Sequence, residues 1–193
     1  MNAPPMSPRK RGDIIVPVVL LTGAVGAGKT TALRALVEKL QVVGKNVRGI
    51  VAHRVMEKEC VVGYDLEVIG QDARLPLARK EGAGSERIGP FVFSDEALLV
   101  GRRTLRESAN AEVVVVDEFG PLELEGGGWA EEVKWLLRES NAVMVLVVRE
   151  TLIERVCEWL QPYRRAIYSF TIEEFTGNEL TKLISRESSG GEL

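Results

Sequence analysis

The sequence predicts an α/β fold, a mostly parallel sheet flanked by helices on both faces, and three observations carry that prediction. A glycine-rich turn at residues 23–30 lies between a wholly apolar run and a run with helical spacing. Short apolar, β-rich runs recur at 113–116 and 142–148, as strands buried on both faces require. Helix-periodic stretches separate these runs, and that alternation builds parallel sheets.

Residues 1–12 are proline-rich and basic, with no long apolar stretch after them, and read as a flexible tail rather than a secretory signal. Val18, Val19, Leu20 and Leu21 form the first strand; Leu33, Leu36, Val37 and Leu40 then recur at helical spacing, with Gly44 as the stop. Residues 46–52 read as a second strand. Across about 54–69, two β-rich runs around a polar centre at Glu57 and Lys58 predict a hairpin inserted into the alternation. Gly70, Pro76, Gly82 and Gly84 make 70–86 a loop.

Residues 88–93 are expected to form one strand, and Ser94 caps a helix reaching Ser108. Ala97, Leu98, Gly101 and Leu105 face inward on that helix, which leaves Arg102 and Arg103 on the surface. The rest follows as a strand at 113–116, a helix at 129–140 and a strand at 142–148. A helix at 151–161 stopped by Pro162, a strand at 165–171 and a helix at 174–186 complete it. One domain, 13–187, with a disordered tail at 188–193, accounts for the whole chain of 193 residues.

Composition narrows the function classes. A net charge of −3 leaves no basic footprint, which argues against nucleic acid as the main partner. No apolar run reaches the roughly twenty residues that span a bilayer, so a soluble, cytoplasmic protein without a membrane partner is expected. Cys60, Cys157 and the single His53 stand apart in sequence and give neither a disulfide framework nor a zinc site.

The turn itself carries chemistry. Gly23, Ala24, Val25, Gly26, Ala27, Gly28, Lys29 and Thr30 spell a complete G-x-x-x-x-G-K-T phosphate-binding loop, with Thr31 behind it as support. Glycines let successive N–H groups turn towards one anion, and the following helix aims its N-terminus at the same point. Lys29 is placed to reach the β- and γ-phosphates and the Thr30 hydroxyl to bind Mg2+. A nucleoside triphosphate with magnesium is the expected ligand.

Such a loop needs a carboxylate from a neighbouring strand, and Val113 to Val116 ends in Asp117 and Glu118. Asp117 suits the metal, through water, and Glu118 suits the orientation or deprotonation of an attacking water. Arg54, Arg74 and Arg149 are the candidates for a cation at the transferred phosphoryl group, and a protein partner could supply one instead. Arg74, Arg79 and Lys80, in the 70–86 loop, read as solvated charges.

Taken together, residues 23–31, Gly63-Tyr64-Asp65, Arg87-Ile88-Gly89 and Asp117-Glu118-Phe119-Gly120-Pro121-Leu122-Glu123-Leu124 resemble a small nucleoside-triphosphatase family first described in thermophiles. The resemblance spans about 17–185 in the right order. It implies a compact RecA-like P-loop domain that hydrolyses several nucleoside triphosphates with magnesium. Carried onto this chain, it puts nucleotide contacts on 23–30 and on the segment from Asp117 to Glu123. Two departures stand out: Pro121 occupies the place of a family lysine, and Thr171-Ile172-Glu173-Glu174-Phe175 replaces a threonine followed by Asn-Arg. A divergent member, slow or narrow in substrate choice, is the expectation.

A small-molecule or nucleotide kinase with the same loop, its acceptor under the hairpin or the 70–86 segment, is the alternative. A nucleotide-dependent adaptor in cofactor assembly is the other. No Asn-Lys-x-Asp guanine motif and no Leu-Ser-Gly-Gly-Gln segment occurs, which argues against a G-protein switch and an ABC-type ATPase.

Overall fold

The computed structural model describes residues 16–175, so the predicted helix at 174–186 and both tails lie outside or at the limit of the described residues. The described strands form one nine-stranded sheet. Its parallel half runs β2 (Val47–Glu57), β7 (Val113–Val116), β8 (Val143–Arg149), β1 (Val18–Gly23) and β9 (Ile167–Thr171).

Every residue of β1 and β7 is buried. Alternation explains the apolar runs: Val18 and Leu20 join one core, Val19 and Leu21 the other. Helix α1 (Lys29–Val42) covers the second face with Leu33, Leu36, Val37 and Leu40. The first face is closed by α2 (Asp95–Glu107), α4 (Ala130–Glu139) and α5 (Ile153–Leu160), through residues such as Leu98, Leu105, Leu136, Leu137 and Val156. Each such Leu or Val contributes about 1.5–3 kcal/mol by leaving water. Ser94 caps α2 as expected, its Oγ accepting from the Ala97 N–H.

The antiparallel half is larger than the sequence suggests. β2 does not stop near 52 but continues to Glu57 and pairs with β3 (Cys60–Val68), so the hairpin is an extension of a core strand. Its turn falls one residue later than predicted, on Lys58 and Glu59, both left-handed at φ 43° and 68°. The 70–86 segment is not a continuous loop: β4 (Arg74–Arg79) lies within it and pairs with β3. Pro76 is tolerated there because β6 (Phe91–Phe93) pairs only with Ala78 and Arg79, which leaves the other side of Pro76 without a ladder. The single strand expected at 88–93 is two, β5 (Glu86–Ile88) and β6, folded back at Gly89, whose φ is 53°, and Pro90.

Two smaller differences concern prolines. Pro162 does not end the helix abruptly but sits in a 3-10 turn, Gln161–Tyr163, that continues it. Pro121 opens a one-turn helix, α3 (Pro121–Leu124), at a position where its missing N–H costs nothing.

Candidate active site

The parallel strands β1, β7 and β8 end side by side, and the crevice beyond such ends is where open α/β sheets bind ligands. The phosphate loop fills it. Gly26 and Gly28 take φ of 87° and 92°, a region that side chains avoid, whereas Gly23 closes β1 opposite Arg149 with ordinary backbone. Gly28 is the N-cap of α1; no side chain caps that end and no acidic residue occupies its first turn. The helix therefore offers its positive end and its N–H groups to an anion. Ala24, Val25 and Ala27 are exposed on the loop, and Thr31 is exposed in the first turn of α1.

Lys29 is 5% exposed, and its Nζ donates to the carbonyls of Gly23 at 2.9 Å and Ala24 at 2.8 Å. Burial pushes its ammonium below the ordinary lysine value; Glu118 opposes that, and Arg54 and Arg149 add to it. Crowded by two guanidiniums, the charge is held where a phosphate would be its best partner.

Thr30 and Asp117, 87 residues apart, meet: Thr30 Oγ1 donates to Asp117 Oδ2 at 2.9 Å. Asp117 also accepts from the N–H of Ala52 at 3.3 Å and, through Oδ1, of Glu118 at 3.0 Å. Burial, then the neighbouring Glu118 charge, pushes its carboxyl up to about 7. A hydroxyl and a buried carboxylate are hard oxygen donors, and no cluster of three or more His, Cys, Asp or Glu able to cage a metal occurs among the described residues. That donor set suits magnesium, which keeps most of its waters and takes one or two protein oxygens plus phosphates.

Glu118 follows in a left-handed conformation, φ 54°, that a glutamate adopts only at a cost of roughly 1–3 kcal/mol. The bend turns its carboxylate between two cations. Arg54 Nη2, from the extension of β2, lies 3.8 Å from Oε1, and Arg149 Nη2, from the end of β8, lies 3.4 Å from Oε2. Two of the three candidate arginines thus reach the site. Arg74 does not: it pairs with Glu67 at 3.3 Å, beside His53, whose Nε2 lies 2.6 Å from the same carboxylate. Arg79 is likewise engaged elsewhere, bonded to the Tyr64 carbonyl and Asp65.

The loop, the Thr30–Asp117 contact and the clamped Glu118 thus lie together at the ends of β1, β7 and β8, and comparison with known sequences decides the family. The family model described as NTPase matches residues 18–185. The chain belongs to this nucleoside-triphosphatase family. The enzyme is 34% identical over 158 residues to the nucleoside-triphosphatase THEP1 of Thermofilum pendens, which covers 80% of this chain and 86% of that one. It is 31% identical over 135 residues to that of Hyperthermus butylicus, 69% of this chain and 72% of the relative.

The fold agrees with solved structures of similar proteins. A human cancer-related nucleoside triphosphatase superposes with a TM-score of 0.65 at 22% identity, covering 91% of this chain and all of that one. THEP1 from Aquifex aeolicus gives 0.61 at 16% identity, covering 88% and 99%.

In this nucleoside-triphosphatase Glu123 has a different place from the one predicted. It is 3% exposed and braces the backbone: Oε2 accepts from the Gly120 N–H at 2.9 Å and Oε1 from the Trp129 N–H at 3.4 Å. Each oxygen holds a backbone N–H, so Glu123 shapes the segment after β7. Residues to which the sequence assigned no role in a site also gather here. Tyr64, Phe91, Phe93 and Trp129 line a cavity of about 310 Å3 that opens on Asp117 and Glu118. The period-2 spacing of Phe91 and Phe93 in a three-residue strand was the one available signal.

Proposed function

We propose that the enzyme hydrolyses nucleoside triphosphates in a magnesium-dependent reaction, with the nucleotide phosphates on residues 23–30 and the metal held by Thr30 and Asp117. The observation that carries this reading is the 2.9 Å contact between Thr30 and Asp117, which joins the loop to the acidic end of β7. Lys29 exchanges its two loop carbonyls for β- and γ-phosphate oxygens. Thr30 and Asp117 would hold the magnesium, which would supply positive charge against the charge that develops on the phosphoryl group.

Glu118 orients the attacking water and takes its proton, while Arg149 and Arg54, already beside it, turn to the transferred phosphoryl group. An arginine from a partner is then not required. Glu123 holds Gly120 and Trp129 and so fixes where Glu118 can point. Pro121 withholds the cation that the family lysine brings, leaving Arg54 and Arg149 as the cations beside Glu118.

The enzyme works as a single unit over 13–187 in the cytoplasm, where triphosphates are available, and nucleic acid is not its main partner. Supporting this are the net charge of −3 and the absence, among the described residues, of a helix long and apolar enough to cross a membrane. Phosphate release measured across the four common ribonucleotides, with magnesium and with chelator, tests the reading. Release with magnesium alone, lost in Lys29→Ala, is the expected result; equal release with chelator would overturn the metal assignment.

A further inference from the structure

Hydrolysis needs room for one water, about 30 Å3 of liquid volume. The cavity beside Glu118 measures about 310 Å3, at the lower end of the range for small-molecule sites. None of residues 23–30 lines it. In the placement proposed above, the γ end of the triphosphate meets Asp117 and Glu118 and the base lies away from them, which leaves the cavity free of the base. It shares Asp117, Glu118 and Arg149 with the nucleotide's γ end.

Its lining is divided by charge. Asp117, Glu118 and Arg149 form one contiguous group, joined by the 3.4 Å contact of Arg149 with Glu118. Glu123, the remaining charged lining residue, has both oxygens occupied by backbone N–H groups. The rest is apolar or aromatic, including Tyr64, Leu77, Ile88, Phe91 and Phe93, and Tyr64 meets Phe91 edge-on at 5.4 Å between ring centroids. No lysine lines the cavity, and its one arginine is already paired. A phosphorylated or carboxylate-bearing molecule would find no free cation in the wall.

We propose that this cavity binds a small uncharged alcohol with an aromatic or alicyclic body, and that the enzyme transfers the γ-phosphoryl group to its hydroxyl. The inference rests on the nucleotide placement proposed above. The alcohol oxygen forms a new bond to the γ-phosphorus as the bond from that phosphorus to the β,γ-bridging oxygen breaks. The nucleoside diphosphate leaves with that electron pair, and the alcohol proton passes through Glu118 to water. The ring body rests on Phe91, Phe93 and Tyr64 and excludes the water that would otherwise attack.

The test is 31P NMR of ATP turnover by the full chain with magnesium, in the presence of benzyl alcohol, 2-phenylethanol, 3-pyridylmethanol or cyclohexylmethanol. Nucleoside monophosphates and benzoate serve as charged comparisons. A phosphate monoester on at least one alcohol, saturating with its concentration and absent with the charged compounds, is expected. Free phosphate without monoester on any alcohol overturns the acceptor site and leaves the hydrolase reading standing. Monoester with an alcohol present, together with no release of free phosphate when the alcohol is left out, supports the site and overturns hydrolysis as the main activity. Transfer to a nucleoside monophosphate instead overturns the uncharged class. In Ile88→Trp, which fills the cavity, the ratio of monoester to free phosphate falls about tenfold or more; an unchanged ratio removes the cavity from the reaction.

Discussion

The Glu123 carboxyl is buried with two N–H donors, yet burial dominates and raises it from an ordinary 4.5 to about 7. The folded protein therefore holds a proton that the unfolded chain releases. Its contribution to stability is full below about 4.5 and is lost as the pH rises through about 7. Between pH 5 and 8 the loss is on the order of 2 kcal/mol. Urea unfolding of the wild type and Glu123→Gln at both pH values checks this: the wild type should lose more stability, and parallel losses would contradict it. At the same scale, Lys29→Ala should abolish triphosphate binding measured by calorimetry, because the loop keeps its N–H groups but loses the one charge that bridges the β- and γ-phosphates. That Thr30 and Asp117 come together was legible from sequence, because a G-x-x-x-x-G-K-T loop calls for a carboxylate at the end of a neighbouring apolar strand. Glu123 was not, because an acidic residue near a site reads as a ligand until its hydrogen bonds to Gly120 and Trp129 are known.

Two elements are held in conformations that their sequences serve poorly or barely. The hairpin between β2 and β3 turns on Lys58 and Glu59, both left-handed, where asparagine and glycine are favoured. Replacing the pair by Asn-Gly should stabilise the protein by about 1 kcal/mol, read as a higher urea midpoint. Helix α2 lies against Trp129 at Gly101, where an added Cβ would fall 2.4 Å from the indole. Gly101→Ala should cost about 1–3 kcal/mol by overpacking, despite the better helix propensity of alanine, and thermal unfolding would show it. Strands β1, β7 and β8 were legible as elements because burial on both faces makes each a run of at least four apolar residues. The arm was less so: β5 and β6 have three residues each, and β4 carries Pro76 and two arginines, so neither length nor alternation marks them. Register with β3, a property of pairing rather than of the segment, is what makes β4 a strand.

For the whole molecule, the sheet joins two halves with different work. The parallel half carries the phosphate loop and its carboxylates; the antiparallel half supplies one wall of the cavity that ends on Glu118. The parallel half could be anticipated from strand–helix alternation, whereas the cavity exists only once β3, β4 and β6 are placed beside β7's end. Because the triphosphate binds only the folded loop, magnesium ATP at a hundred times its dissociation constant should raise the melting temperature by about 5–10 °C. That shift should vanish in Lys29→Ala. Glu118, bent out of β7 and clamped by Arg54 and Arg149, is the group proposed to prepare the attacking water. Single-turnover hydrolysis by Glu118→Gln, with nucleotide affinity measured on the same preparation, tests that role most directly. The rate should fall by roughly 10²–10⁴-fold with affinity close to wild type; turnover at the wild-type rate would remove Glu118 from the water-preparing role.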